Sequence, residues 1–442
     1  MRRASGAKFM QMKRRLILGA LSLSLAATSL SAQPRGDEPV PVPRSIKQGV
    51  DFVYVDPAMS TVARKRQRPQ NWLARIFSLD FGGGRRNAPN PLFVELGRGL
   101  QQYQNTWGRL PQVKIPAGPV LKRGSTGKRV ALLRQRLGLG PGGYDQSVIN
   151  AITAYQQVHG LGKPDGVAGR GTIASLNRGA AYYEQRIAIN LERAYRLPQT
   201  RTFDRYVVVD SGSAEAYLFD RDRVADGMKV VVGSPKTKTP MMAVIMRNAK
   251  ANPYWNVPPE LIRSLTAKRV TEQGLSYLRD FHYEVLSDWS ANAHPIDPKT
   301  VNWRAIASGK QQPTIWVRQL PGPWNSMRNM KFEMPNDFGI YLHDTPHTEL
   351  FAKQDRWLSN GCVRLQDWRR FATWVFGYVP QPSTSREQQF QLPRPVPIYM
   401  TYLTVAPSNG GSGVVFRPDP YGFDALAGPQ MFGPGVQTAS AQ

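Results

Sequence analysis

Residues 340–365 read IYLHDTPHTELFAKQDRWLSNGCVRL and contain Cys362, the single cysteine of a 442-residue chain. The β-rich run FGIYLHD carries His343, a candidate base, next to its end. Cys362 comes 19 positions later, directly after Gly361. Beyond it, Leu365, Trp368, Phe371, Ala372 and Val375 recur at helical spacing. The pattern predicts an imidazole at a strand end and a thiol at a neighbouring loop–helix junction. A helix start just past the thiol would favour thiolate through its partial positive charge. Backbone N–H groups near Gly361, Cys362 and Val363 are candidates for an oxyanion hole. Arg364 adds a cation suited to a substrate carboxylate or to a structural ion pair. The competing reading of Cys362 is a small buried hydrophobe.

Working outward, the chain opens with Arg2, Arg3, Lys8, Lys13, Arg14 and Arg15, then LILGALSLSLAATSL and small residues near Ala32. That order is the pattern of a secretory signal over 1–32, and it predicts export. In an oxidising compartment a lone cysteine forms no internal disulfide, which makes a reactive thiol a serious candidate. The chain has 58 Lys plus Arg against 31 Asp plus Glu, a net +27, and loss of the six leader cations leaves +21. Such a balance suits a polyanionic wall or membrane surface, and no nucleic-acid motif accompanies it.

Residues 33–88 are rich in Pro, Arg and Gly and predict a mostly disordered lead. Residues 90–117 begin a helical scaffold with Leu92, Leu96, Leu100 and Tyr103 in phase. Residues 118–178 predict three short helices, in which His159 reads as a capping or core residue. A linking helix covers 179–203. From 204 the pattern turns to strands, RYVVVD, AEAYLFD and MKVVVGS, with turns expected at Ser211–Gly212 and Asp226–Gly227. Residues 258–312 predict a helical insertion, strands resume at TIWVRQL and FGIYLHD, and 406–442 predict a disordered tail. The fold class is α+β: a β-rich, mixed-sheet or barrel-like domain with a helical capping insertion, preceded by a small three-helix domain.

His343 and His347 have the H-x-x-x-H spacing of a metal pair, but Pro346 breaks the helix that would align them. No metal or cofactor is expected.

HDTP at 343–346 followed by SNGCVRL at 359–365 resembles the signature of L,D-transpeptidases with a YkuD-type catalytic domain. VVVGSPKTKTP (230–240), NPYWNVP (252–258), RQLPGPWNSM (318–327) and KFEMPN (331–336) extend the similarity. Residues 118–178 are similar to peptidoglycan-binding domains, through Tyr155–Gln156, His159–Gly160–Leu161 and Asp165–Gly166, and the whole resembles the long YcbB architecture. The resemblance implies Cys362 as nucleophile and His343 as base, then acid. It implies Gly361 and Cys362 N–H groups at the oxyanion with Tyr341 in support, and Arg364 and Asn336 as substrate-binding or framing residues. It also implies a domain over 204–405 with 258–312 as substrate cap.

The implied substrate is a peptidoglycan tetrapeptide stem, and the implied product a 3→3 cross-link made by a periplasmic, monomeric enzyme open to carbapenem acylation at Cys362. Transfer to water would make an L,D-carboxypeptidase, and transfer to an outer-membrane protein amine would anchor that protein. A murein hydrolase of the same fold and a non-catalytic wall-binding protein are the alternatives. Two departures stand out: Asn360 replaces the histidine common before Gly-Cys, and Asn329 stands where glycine is common.

Overall fold

The computed structural model describes residues 52–55, 59, 88–290, 292–408 and 413–432. The leader at 1–32 and most of the 33–88 lead lie outside them. Strands are numbered in chain order: β1 (Val53–Tyr54), β2 (Arg205–Asp210), β3 (Glu215–Asp220), β4 (Arg223–Gly233), β5 (Met242–Ala251), β6 (Trp255–Val257), β7 (Tyr283–Leu286) and β8 (Trp316–Gln319). After these come β9 (Met330–Glu333), β10 (Leu342–His343), β11 (Trp357–Ser359), β12 (Val363–Leu365), β13 (Gln388–Thr401), β14 (Val405–Pro407) and β15 (Val414–Phe416).

The main sheet runs β5-β13-β2-β3-β4-β12-β10-β9, and β9 pairs back onto β5, closing a barrel. Closure removes the sheet edges that would otherwise present unpaired backbone. The ladder is mixed: β13–β2 and β10–β12 are parallel, and the other ring contacts are antiparallel. Alternation along each strand sends Val207, Leu218, Val230, Val244, Phe332, Leu342 and Val363 inward. The helix Trp368–Phe376 adds Phe371 to this core, edge-on to Phe332 at 4.7 Å between ring centroids. Its stripe repeats every three to four residues, so one face can fill the barrel while Arg369 and Arg370 stay in water.

Three helices, Lys128–Arg136, Gln146–His159 and Arg170–Arg178, form the small unit expected over 118–178 around Val130, Leu133, Val148, Ile152 and Leu176. His159 is buried there. Its Nδ1–H donates to Tyr155 O (2.7 Å) and its Nε2 accepts from Tyr103 OH (3.0 Å). Helix Pro91–Asn105 and the linking helix Ala180–Tyr195 pack on each other.

Five expectations need correction. Asp226–Gly227 continue β4, because both pair across to β3; the β3–β4 turn is Arg221–Asp222, two non-glycine residues at φ 46° and 64°. TIWVRQL is not in the barrel. As β8 it lies between β6 and β7 in a separate three-stranded sheet. The capping insertion is therefore larger than 258–312, since Trp255, Val257, Val317 and Met327 share its core with Ile262, Val270 and Trp303.

The tail is also not disordered through its described part. The β14–β15 hairpin covers the two long helices, and helix Phe423–Phe432 follows. Phe416, Tyr421 and Phe423 are 0–3% exposed. Average composition hid these widely spaced aromatics. Finally, within the lead, β1 pairs in parallel with β5, so residues 52–55 are ordered.

Arg356 locks the connector between His343 and Cys362 onto the barrel. Its buried guanidinium donates to the carbonyls of Val230 (3.2 Å), Lys353 (3.2 Å), Ser213 (3.2 Å) and Ala214 (3.0 Å). Arg356→Met would remove the guanidinium from all four carbonyls, leaving Ala214 O its bond from Val230 N, and should lower stability by about 2–4 kcal/mol. Urea unfolding with an unchanged m-value and a lower midpoint is the expected result, and an unchanged midpoint would refute this role.

Candidate active site

The register of β12, β10 and β9 builds the site. Leu342 pairs with Val363 and His343 with Arg364 in the parallel ladder, while His343 pairs with Lys331 across to β9. Since side chains alternate faces, inward Leu342, Val363 and Phe332 leave Tyr341, His343, Cys362, Arg364 and Lys331 on the outer face. Two parallel neighbours thus set the thiol and the imidazole on one face from positions 19 apart.

His343 is 3% exposed. Its Nδ1–H donates to Asp344 O at 2.5 Å, which leaves Nε2 as the basic nitrogen. Burial, then the cations of Arg364 and Lys331, hold its pKa down to about 3 against the favourable Asp344 carbonyl. The imidazole is neutral at pH 7.

The Asp344 carboxylate accepts from Asn329 Nδ2 (2.7 Å) and Thr345 N (2.7 Å). Asn329, unusual for glycine's place, therefore helps to fix the turn that orients His343.

Cys362 is half-buried, and its thiol donates to Gly339 O at 3.5 Å. Burial pushes the thiol above its ordinary pKa, while Tyr341 N–H, Lys331 and Arg364 pull it back. The resting pair is thiol and neutral imidazole. The expected helix start beside the thiol is absent. Val363–Arg364–Leu365 is a strand paired to β4 and β10, and the helix begins only at Trp368, with Asp367 accepting from Arg370 N. Period-two alternation at 363–365 outweighed the helical spacing read from Leu365 onward.

The turn at 359–362 is knitted from within. Gly361 N–H donates to Ser359 Oγ (3.1 Å), and Ser359 Oγ–H donates to Cys362 O (2.6 Å). Gly361 N–H is thus occupied and is not the oxyanion donor expected from the sequence. Among the described residues, Cys362 N–H has no hydrogen-bond acceptor, which leaves it for a developing oxyanion. Gly361 sits at φ +119°, where any side chain is strained.

Tyr341 supports the sulfur through its backbone, while its ring packs on the cap core under the Lys331 ammonium, 3.9 Å from the centroid. Arg364 is half-buried beside the thiol. Asn336 faces the frame instead of a substrate: its amide donates to Met334 O and Ile340 O and accepts from Phe338 N and Ile340 N. That bracing holds the loop whose Gly339 carbonyl meets the thiol. His347 is exposed, 3.4 Å from Glu349. Lys331 escaped sequence reading because nothing in KFEMPN marks a lysine that register places opposite His343.

Residues 204–396 match the family described as YkuD, the L,D-transpeptidase catalytic domain. A candidate L,D-transpeptidase of Haemophilus influenzae is 28% identical over 249 residues, 54% of this chain and 48% of that protein. The chain thus spans about half the length of that curated relative. Among solved structures, an L,D-transpeptidase from Mycobacterium smegmatis is similar at 14% identity and TM-score 0.22, over 45% of this chain and 58% of that one. One from Stackebrandtia nassauensis is similar at 15% and 0.21, over 66% and 97%.

Proposed function

We propose, from the YkuD L,D-transpeptidase catalytic domain that residues 204–396 carry, that this chain transfers acyl groups between peptidoglycan stem peptides through a Cys362 thioester. The observation that carries the reading is the placement of Cys362 and His343 on one outer face of adjacent parallel strands. The donor is a tetrapeptide stem with a diamino acid at the third position and D-Ala at the fourth. As sulfur attacks the carbonyl between them, the thiol proton passes to His343 Nε2. The C–N bond then breaks, and D-Ala leaves with that proton on its amine. An amine of a second stem, deprotonated by His343, resolves the thioester into a 3→3 cross-link.

Cys362 N–H supports the oxyanion, and Arg364 supplies a cation for a donor carboxylate. The basic, then apolar, segment 1–32 supports export to the periplasm. The three-helix unit and the basic balance support contact with the wall.

Purified protein incubated with disaccharide-tetrapeptide tests the reading by mass spectrometry. Loss of D-Ala together with a cross-linked dimer is the expected result. Tripeptide alone would assign hydrolysis, and an outer-membrane protein bearing a tripeptide would assign protein anchoring. Unchanged tetrapeptide would overturn the proposal.

A further inference from the structure

The Gly361–Cys362 peptide is one rigid plane in which the Gly361 carbonyl and the Cys362 N–H point to opposite sides. Whatever holds that carbonyl also aims the N–H. Thr239 holds it: its Oγ1–H donates to Gly361 O at 2.7 Å, and the same oxygen accepts from Gly233 N at 2.9 Å. The loop carrying Thr239 also backs the turn at a second point, where Ser234 N and Thr237 Oγ1 both donate to Ser359 O at 2.9 Å. Gly233 allows the loop to fold this closely, since a Cβ there would come within 2.1 Å of Thr237 O.

Behind Thr239 lies the segment that composition marked as disordered. Tyr421 OH donates to Gly233 O at 2.6 Å and accepts from Thr239 N at 3.4 Å. Lys238, in the same loop, sits 5.0 Å over the Phe423 ring. Tyr421 is itself immobilised. Its N–H donates to Tyr402 OH (3.0 Å), and its ring stacks on Tyr402 at 5.0 Å. The adjoining Asp424 is gripped by Arg186 (2.9 Å) and Arg193 (2.7 Å) of the linking helix. Thr239 and Tyr421 are buried.

We infer that Thr239 and Tyr421 are positioning residues for the oxyanion donor: the C-terminal segment, through Tyr421 and then Thr239, sets the direction of Cys362 N–H. Neither residue touches the reacting atoms. The inference rests on Cys362 being an acyl-accepting nucleophile but not on which acyl donor it uses.

Two reagents separate aim from mere integrity. Acylation of Cys362 by p-nitrophenyl acetate builds an oxyanion, whereas alkylation by iodoacetamide does not. Both rates are measured on the full chain for wild type, Thr239→Val, Thr239→Ser and Tyr421→Phe. Loss of one oxyanion donor costs roughly 10²–10³-fold in rate, and misdirection should cost part of that.

Acylation is expected to fall about 10- to 100-fold in Thr239→Val and about 10-fold in Tyr421→Phe, with alkylation within about threefold of wild type. Thr239→Ser, which keeps the hydroxyl, should recover most of the acylation rate. Parallel loss of both rates would mean general loosening and would overturn the inference. Unchanged acylation in Thr239→Val, or a serine variant as poor as the valine one, would do the same. Failure to release D-Ala from a stem peptide leaves these ratios intact, so the two readings fail separately.

Discussion

Cys362→Ser removes acyl transfer: D-Ala release from a tetrapeptide stem is expected to drop by at least about 10⁴-fold, with the unfolding midpoint within error of wild type. The nucleophile is the one group whose loss leaves no covalent route. Serine keeps the shape of the site, because an O–H can replace the thiol in its long contact to Gly339 O (3.5 Å) and accept from Tyr341 N–H as the sulfur does. Its hydroxyl is far less acidic than a thiol, and the neutral His343 gives little drive to deprotonate it. Intact-protein mass spectrometry provides a second readout. A β-lactam such as meropenem should add its mass to wild type and not to Cys362→Ala. Turnover near wild type by Cys362→Ser, or an adduct that survives in Cys362→Ala, would refute the assignment.

His343→Ala should cost about 10²–10⁴-fold in acylation rate, the usual range for loss of a general base. His347→Ala should cost almost nothing, since that ring is exposed and lies 3.4 Å from Glu349. The opposite ranking would reject His343 as the base.

The pH profile adds a sharper criterion. A neutral base held at about 3 stays unprotonated well below pH 6.5, so the acid limb should lie far below the ordinary histidine value. An acid limb with its midpoint near 6.5 or above would contradict the buried, cation-flanked site. Stability must be followed alongside. His159 and His343 both have folded pKa values lowered to about 3. Below pH 6.5 the unfolded chain takes up protons that the fold refuses. Their contribution is thus complete above 6.5 and declines as pH falls toward 3, at up to about 1.4 kcal/mol per unit for each group.

The sequence by itself determined much of the element order and singled out the candidate pair. One thiol and one strand-end histidine in HDTP and SNGCVRL are the candidate nucleophile and base, and the register sets them on one face of neighbouring strands. The alternation in RYVVVD, AEAYLFD and MKVVVGS located β2, β3 and most of β4. Such signals are local, because a strand's inward face is written in every second residue.

Tertiary structure alone decided what depends on register and on distant partners. Barrel closure comes from β9 returning to β5. Lys331 acquires its place opposite His343 only through the β9–β10 ladder. The C-terminal segment, Gly- and Pro-rich in composition, packs because Tyr421, Phe423 and Asp424 meet Tyr402, Arg186 and Arg193 from far away in the chain. The physical reason is common to all three. A hydrogen bond or buried contact between residues far apart has no signature in either residue's neighbours, and only the closed fold brings the partners within reach.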